Sequence, residues 1–314
     1  MTPTISVLIP ALLGHESVAA AIDAWSRQTR RDLIEILVLC PEAPTGDPPI
    51  DWRDTPIVVA TGSRPLNQAR AAAIRAASAP LVILAEDHCL PEPDFIENLL
   101  PALESGATAL GPALRPGNSD TLAALTSFLL GYSQWMAPID SGPIDILPGH
   151  NIIASRAELC SWGPELEDEL LVASFLVQRL RREGGRFLIE SRCRMRHFDP
   201  SSWSRNLRIF FCVGLGFGAR RNRDAGWPIR LGYPLLAPAI AAAHWLRAFR
   251  QYRRTGAGCG VPAAALLNAI PFALAWAGGE SLGAWAGIGR VAPLLHVSEI
   301  KPVSREMAAR YFPG

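Results

Sequence analysis

Through its first two hundred or so residues this chain alternates short β-prone runs with helix-prone ones, a rhythm that leaves few folds open. Ile5–Ile9 reads as a buried strand that stops at Pro10, and Glu16–Gln28 as a helix. Ile34–Leu39 and Ile57–Ala60 read as strands, and Leu66–Ala77 as an alanine-rich helix. Leu81–Ala85 is a fourth strand running into Glu86-Asp87-His88, and Asp94–Leu103 a further helix. Such alternation predicts a mostly parallel α/β sheet with helices on both faces, because a parallel neighbour needs a long crossover. Ala107–Gly111, Ile144–Leu147 and Arg186–Ile189 read as later strands, and Gly149–Asn151 as a turn. Glu167–Glu183 reads as a helix closed by Gly184-Gly185. In open sheets of this kind ligands sit beyond the carboxyl ends of the strands. Pro10, Cys40–Glu42 and Glu86–His88 fall there.

The remainder has a different character. From about residue 207 Gly, Ala, Pro, Trp and Leu dominate, so the expected division is an α/β domain over 1–205 and an apolar helical tail over 206–314. Leu231–Leu246 carries no charge over 16 residues, and Ala257–Gly279 none over 23, though Pro262 and Pro271 interrupt the second. A spanning helix needs about 20 apolar residues. Arg247, Arg250, Arg253 and Arg254 lie between the two stretches, and the positive-inside rule holds such a loop in the cytoplasm. The arrangement with least conflict is helices lying in the cytoplasmic leaflet with arginines at anionic headgroups. A net charge of +1 gives no reason to expect a nucleic-acid partner. Six scattered cysteines without C-x-x-C argue against a zinc site or a disulfide framework, and the N-terminus lacks a cleaved-signal pattern. A cytosolic setting at the membrane face follows.

Four clusters are candidates for chemistry. Glu86-Asp87-His88 offers carboxylates and an imidazole at a strand end, where they serve as ligands for Mg²⁺ or Mn²⁺ or form a solvated turn. Glu165-Leu166-Glu167-Asp168-Glu169 opens a helix, where acids suit the helix dipole or serve as a general base. Arg64, Arg70 and Arg75 flank the alanine-rich helix, where an arginine grips phosphate or joins a solvated face. Arg192–Asp199 alternates basic and apolar residues as an edge strand would, with His197 a candidate metal or phosphate ligand.

Taken in order, these pieces resemble the family-2 glycosyltransferases, inverting enzymes with the GT-A (Rossmann-like) fold. Ser6–Pro10 looks like that family's first strand, and Glu16 through Trp25-Ser26-Arg27-Gln28 like its first helix. Ala69-Arg70-Ala71 stands where Ala-Arg-Asn is frequent, and Glu86-Asp87-His88, followed by Pro91–Phe95, stands in place of the metal-binding D-x-D. Gly149-His150-Asn151, Glu167-Asp168, Arg179–Gly184 and His197 resemble later landmarks, and Leu267–Gly283 resembles the membrane-associated tail of some bacterial members.

The resemblance implies transfer of a sugar from a nucleotide-diphosphate donor to an acceptor hydroxyl, with inversion. It places the nucleotide against Pro10, Ala11 and Glu42, with Glu86 and Asp87 beside the donor and Arg70 on the diphosphate. Mg²⁺ or Mn²⁺ would be held by Asp87, His88 and His197. Asp168, paired with Glu167, would act as base. A membrane-skimming tail suits a lipid-linked acceptor. Cys40-Pro41-Glu42 replaces the usual acidic end of the second strand, and the Q-x-x-R-W of processive synthases is absent, so a polymer synthase is not expected. A sugar nucleotidyltransferase would carry a Gly-rich basic loop after the first strand, which Pro10–Gly14 lacks. A non-catalytic scaffold of the same fold is the alternative of a different class.

Overall fold

The computed structural model describes all residues except Met1, Gly14, 42–56, Ser63, Gly256, Ala257, Cys259, Ile300, Pro302 and 312–314. Glu42 therefore lies outside the described residues. The chain divides into two compact units: residues 1–117, 139–197 and 302–314 form one, and 118–138 with 198–301 the other. The expected single cut at 205/206 thus stands beside a division in which one short segment crosses over in each direction.

The first unit is α/β. In chain order its elements begin with β1 (Ile5–Pro10), α1 (Ala19–Ser26), β2 (Ile34–Cys40), β3 (Ile57–Ala60), α2 (Leu66–Ala76), β4 (Leu81–Leu84), β5 (Cys89–Pro91), α3 (Phe95–Leu103) and β6 (Ala109–Pro116). The chain then contributes α4 (Leu122–Tyr132) to the second unit and returns with β7 (Gly142–Ile144), β8 (Ile153–Ser155), α5 (Arg156–Ser161), α6 (Glu165–Glu169), α7 (Ala173–Arg182) and β9 (Phe187–His197). The sheet runs β3-β2-β1-β4-β8-β6-β9-β5, with β7 also on β9. The first four strands are parallel, as their helical crossovers require.

Leu8, Leu37, Leu39, Val82 and Leu84 join one core cluster with α2, α5, α6 and α7. The alternate residues Val7, Ile9, Ile36, Val38 and Ile83 are equally buried on the opposite face, so both sides of the sheet are covered.

Three expectations change. The helix expected over Glu167–Glu183 is two, α6 and α7, because the chain extends at Val172 after Leu170 and Val172 turn into the core. The run Arg192–Asp199 is not an edge: most of it belongs to β9, which pairs with β5, β6 and β7. Its alternation arises because Cys193, Met195 and His197 are buried while Arg194 and Arg196 on the other face are only partly so. The strand expected at Ile144–Leu147 lies earlier, as β7.

The second unit is helical: α4, α8 (Trp203–Arg221), α9 (Trp227–Gly232), α10 (Ala237–Thr255), α11 (Ala264–Ala286) and α12 (Ile288–Glu299). A short α13 (Arg305–Tyr311) belongs again to the first unit, where Arg305 pairs with Asp23 of α1. Helix α11 runs unbroken through Pro271. Glycine in a helix interior costs up to about 1 kcal/mol relative to alanine, but here α8 and α11 touch through their backbones. A Cβ on Gly218 would lie 1.9 Å from the Glu280 carbonyl, and one on Gly279 2.1 Å from that of Phe211. Among the described residues no helix is long and apolar enough to cross a membrane.

Candidate active site

The register of the sheet assembles the site. β4 pairs antiparallel with β8, Ile83 facing Ile153, and the ladder continues through Leu84 N–H to the Ile152 carbonyl and Asn151 N–H to the Leu84 carbonyl. That places Asn151 beside the residues that follow β4. Asn151 adopts the left-handed conformation (φ 57°), which asparagine tolerates because its short side chain bonds locally. Its Nδ2 donates to Glu86 Oε2 at 2.8 Å.

On the other side, β5 begins at Cys89, whose register partner on β9 is His197. Glu86, His88 and His197 thereby converge. Each offers one ligand atom within 4.8 Å of the others, and all three are buried. His88 Nε2 stands 3.5 Å from Glu86 Oε1 and His197 Nε2 3.9 Å from Glu86 Oε2. The two rings meet edge to face at 4.7 Å between centroids. His150 Nε2 adds a third imidazole 3.8 Å from Glu86 Oε1.

Asp87 takes a different place. Its Oδ1 lies 2.5 Å from His88 Nδ1, behind the ring. A carboxylate on Nδ1 sets the tautomer and leaves Nε2 for a ligand, the usual outer partner of a metal-binding histidine. The trio that the structure groups is therefore Glu86, His88 and His197, with Asp87 supporting His88, whereas the D-x-D resemblance points to Asp87, His88 and His197. The difference lies in which ring atom each acid meets: Asp87 is on Nδ1 of His88, and Glu86 on the Nε2 side. A donor set of one carboxylate oxygen and two imidazole nitrogens, buried and converging, fits a divalent transition-type cation such as Mn²⁺.

Pro10 ends β1, and Ala11, buried, donates its N–H to the Leu39 carbonyl at the carboxyl ends of β1 and β2. Arg70 is buried on α2. The acidic run behaves differently from the cation trio. Glu167 Oε1 pairs with Arg75 at 3.2 Å, and its carbonyl accepts from Asn67, tying α6 to α2. Asp168 is exposed, and Glu169 is the buried acid of the run, 4.0 Å from both Arg179 and Arg182. Arg64 is exposed. Asn151 and His150 lie in a turn that the sequence marks without assigning them a role.

No protein-family model matches the sequence, and no curated protein matches it. Solved structures do. The mannosyltransferase PcManGT from Pyrobaculum calidifontis, in complex with GDP-Man and Mn²⁺, aligns at TM-score 0.54 and 18% identity over 91% of this chain and 88% of that one. GalNAc-T7 with UDP, GalNAc and Mn²⁺ aligns at TM-score 0.49 and 12% identity, covering 71% of this chain and 52% of its own. S. aureus TarS aligns at TM-score 0.45 and 12% identity, covering 90% of this chain and 54% of its own. The likeness to PcManGT shows the fold: a GT-A-like mixed, mostly parallel sheet with helices.

Proposed function

We propose that the chain is a metal-assisted glycosyltransferase that takes its sugar from a nucleotide-diphosphate donor. The observation that carries this reading is the buried convergence of Glu86, His88 and His197 at the carboxyl end of β4, in a fold shared with a protein whose structure holds GDP-Man and Mn²⁺. These three residues hold Mn²⁺ or Mg²⁺, Mn²⁺ better because two of the donors are imidazoles. The cation's contribution when bound is neutralisation of the charge that develops on the departing diphosphate.

The protein does the rest. Asp87 keeps His88 in the ligating tautomer, and Asn151 keeps the Glu86 carboxylate turned inward. The nucleoside packs at Pro10 and Ala11, and Arg70 meets the diphosphate. Asp168 accepts the acceptor hydroxyl proton as the new C–O bond forms at the anomeric carbon and the bond to the diphosphate breaks on the opposite face, which inverts the centre. Of the Glu167-Asp168 pair, Asp168 is the one to which the family resemblance gives the role of base, and Glu167 ties α6 to Arg75 of α2. The reaction takes place at the cytoplasmic face of a membrane, where a lipid-linked hydroxyl is the acceptor class that suits an arginine-rich apolar tail.

The test is calorimetry of the full chain with UDP- and GDP-sugars, with and without Mn²⁺. Binding that requires Mn²⁺ and is lost in His197→Ala supports the reading; metal-independent binding, or none, removes it. Asp168→Asn should retain donor binding and lose transfer by more than about a hundredfold. Equal turnover in that variant would take Asp168 out of the mechanism.

A further inference from the structure

Helix α11 is inside out for a helix in water. Its charged residue, Glu280, is fully buried, whereas the solvent side carries Leu267 (70% exposed), Ile270, Leu274, Gly278, Leu282 and Trp285 (57%). At 3.6 residues per turn these positions fall within about 120° of one another and extend about 27 Å along the axis. Pro271 is the other exposed residue in the stretch; the half-buried Ser281 falls within the arc, and its hydroxyl is turned back onto the Ala277 carbonyl. The neighbouring segment repeats the pattern. Trp227, Ile229, Leu231, Leu235 and Leu236 of α9 and the 3₁₀ turn after it (Tyr233–Leu236) are all more than half exposed, and that turn and α9 both pack on α11. The outward residues of α10 are Pro238, Ala239, Ala242, Ala243 and Leu246 until Arg250. Scattered exposed leucines are ordinary; a continuous apolar surface of this extent is an interaction site.

Charge selects the occupant. Residues 118–138 and 198–301 hold twelve Lys and Arg against five Asp and Glu, a net of +7, while the rest of the chain holds eighteen against twenty-four, a net of −6. Arg223, Arg250, Arg253 and Arg254 are exposed on the helical unit that carries the apolar surface. Apolar side chains flanked by arginines match the boundary between acyl chains and anionic headgroups.

We propose that the outward stripe of α11, with the α9 segment beside it, is the lipid-contacting surface of this protein. It rests in the acyl region of an anionic leaflet without crossing it, and Arg223, Arg250, Arg253 and Arg254 engage the phosphates. This rests on the reading of a transferase working at a membrane face and names the surface that puts it there.

The test is flotation of the full chain with vesicles of phosphatidylcholine doped with phosphatidylglycerol, and with vesicles of phosphatidylcholine alone. The wild type floats with the anionic vesicles and its tryptophan emission moves to the blue. The variant Leu267→Ser/Ile270→Ser/Leu274→Ser partitions more than about a hundredfold more weakly, with an unchanged circular dichroism spectrum because the three side chains face outward. Arg250→Gln/Arg253→Gln/Arg254→Gln loses the preference for anionic vesicles by about tenfold or more, and decides the matter should the serine variant misfold. Wild type that stays in the supernatant, or a serine variant that floats as well as wild type, overturns the proposal. So does a vesicle-free dimer by sedimentation velocity that the serine variant splits, since a second copy would then cover the stripe. Titration of the same protein with GDP and Mn²⁺ without vesicles keeps the two readings apart: absent nucleotide binding sinks the transferase and leaves the flotation result standing.

Discussion

Glu86 in the α/β unit and Glu280 in the helical unit are both buried carboxylates set among nitrogen donors, and the contrast between their shells separates a binding site from a fastener. Glu280 is met by Arg221 Nη1 at 2.8 Å, Tyr233 OH at 2.9 Å, Trp276 Nε1 at 2.9 Å and His244 Nε2 at 3.5 Å. Both oxygens are consumed, and the four partners come from α8, the turn before α10, α10 and α11 itself. Glu86 has one close donor, Asn151, and three imidazole nitrogens standing back at 3.5 to 3.8 and 3.9 Å. Glu86 thus has one short bond where Glu280 has three, and its ligand atom lies within 4.8 Å of those of His88 and His197. A fully satisfied acid locks helices together; an acid whose neighbours converge without closing on it is arranged for a cation.

Removing Glu280 should therefore produce the largest effect on stability. Glu280→Leu strands the Trp276 ring N–H and His244 in the interior and removes the partner of the half-buried Tyr233 hydroxyl, and we expect a loss of about 3 kcal/mol in urea unfolding of the helical unit. Arg221 is half exposed and regains water, which keeps the figure at the low end of that range. A loss below about 1 kcal/mol would mean that the network is not what fastens α10 and α8 to α11.

Glu86→Gln should do the reverse. It leaves metal-free stability within about 1 kcal/mol of wild type, because Asn151 keeps an oxygen to donate to. What it abolishes is the stabilisation by Mn²⁺, expected in the wild type at about 2.7 kcal/mol when the ion is at a hundred times its Kd. Thermal melts with and without Mn²⁺ read both quantities at once; an undiminished Mn²⁺ shift in the variant would erase the distinction drawn between the two acids. Asp87→Asn, which changes only the group behind His88, should weaken Mn²⁺ by about 10- to 100-fold. Calorimetric Mn²⁺ titration checks it, and a loss as complete as that of Glu86→Gln would make Asp87 a ligand instead of a support.

The same contrast shows which parts of this molecule are legible in the sequence. The four parallel strands are uninterrupted apolar runs separated by helical ones, and they form where periodicity puts them. Glu86, His88 and His197 stand out as metal-ligand types. What brings them together does not stand out: β5 is only Cys89–Pro91, too short to show a period, and its register with β9 is what sets His197 opposite Cys89, next to His88. Asn151 acts through a left-handed backbone that Gly-His-Asn hints at without specifying a partner. In the tail, apolar composition is plain, but the phase of α11 is not, because nearly every residue around it is apolar. Only the packed neighbours reveal that Glu280 points in and Leu267 out. The entry of 118–138 into the helical unit is a tertiary fact with no local signal.

Acid sharpens the account of the helical fastener further. Arg247 Nη2 donates to His244 Nδ1 at 2.6 Å, so the ring proton sits on Nε2, toward Glu280. Protonation would set a second N–H against the guanidinium. In line with this, burial pushes the His244 pKa down, the Glu280 hydrogen bond restores part of it, and the charges of Arg247 and Arg221 lower it again, leaving it below 6.5. Burial pushes Glu280 up, but the bonds from His244 and Tyr233 and the charge of Arg221 outweigh that and hold it below 4.5. Below about pH 6.5 the unfolded chain then binds a proton at residue 244 that the folded chain refuses, and stability falls as pH drops; Glu280 adds a second loss from about 4.5 downward. A single proton limits the slope to about 1.4 kcal/mol per pH unit. Urea midpoints between pH 8 and pH 5 should decline for wild type and flatten in His244→Gln, which keeps an N–H for Glu280 without a titrating ring. A flat wild-type profile would mean that His244 accepts its proton in the folded state, and the Arg247 contact would then not hold its tautomer.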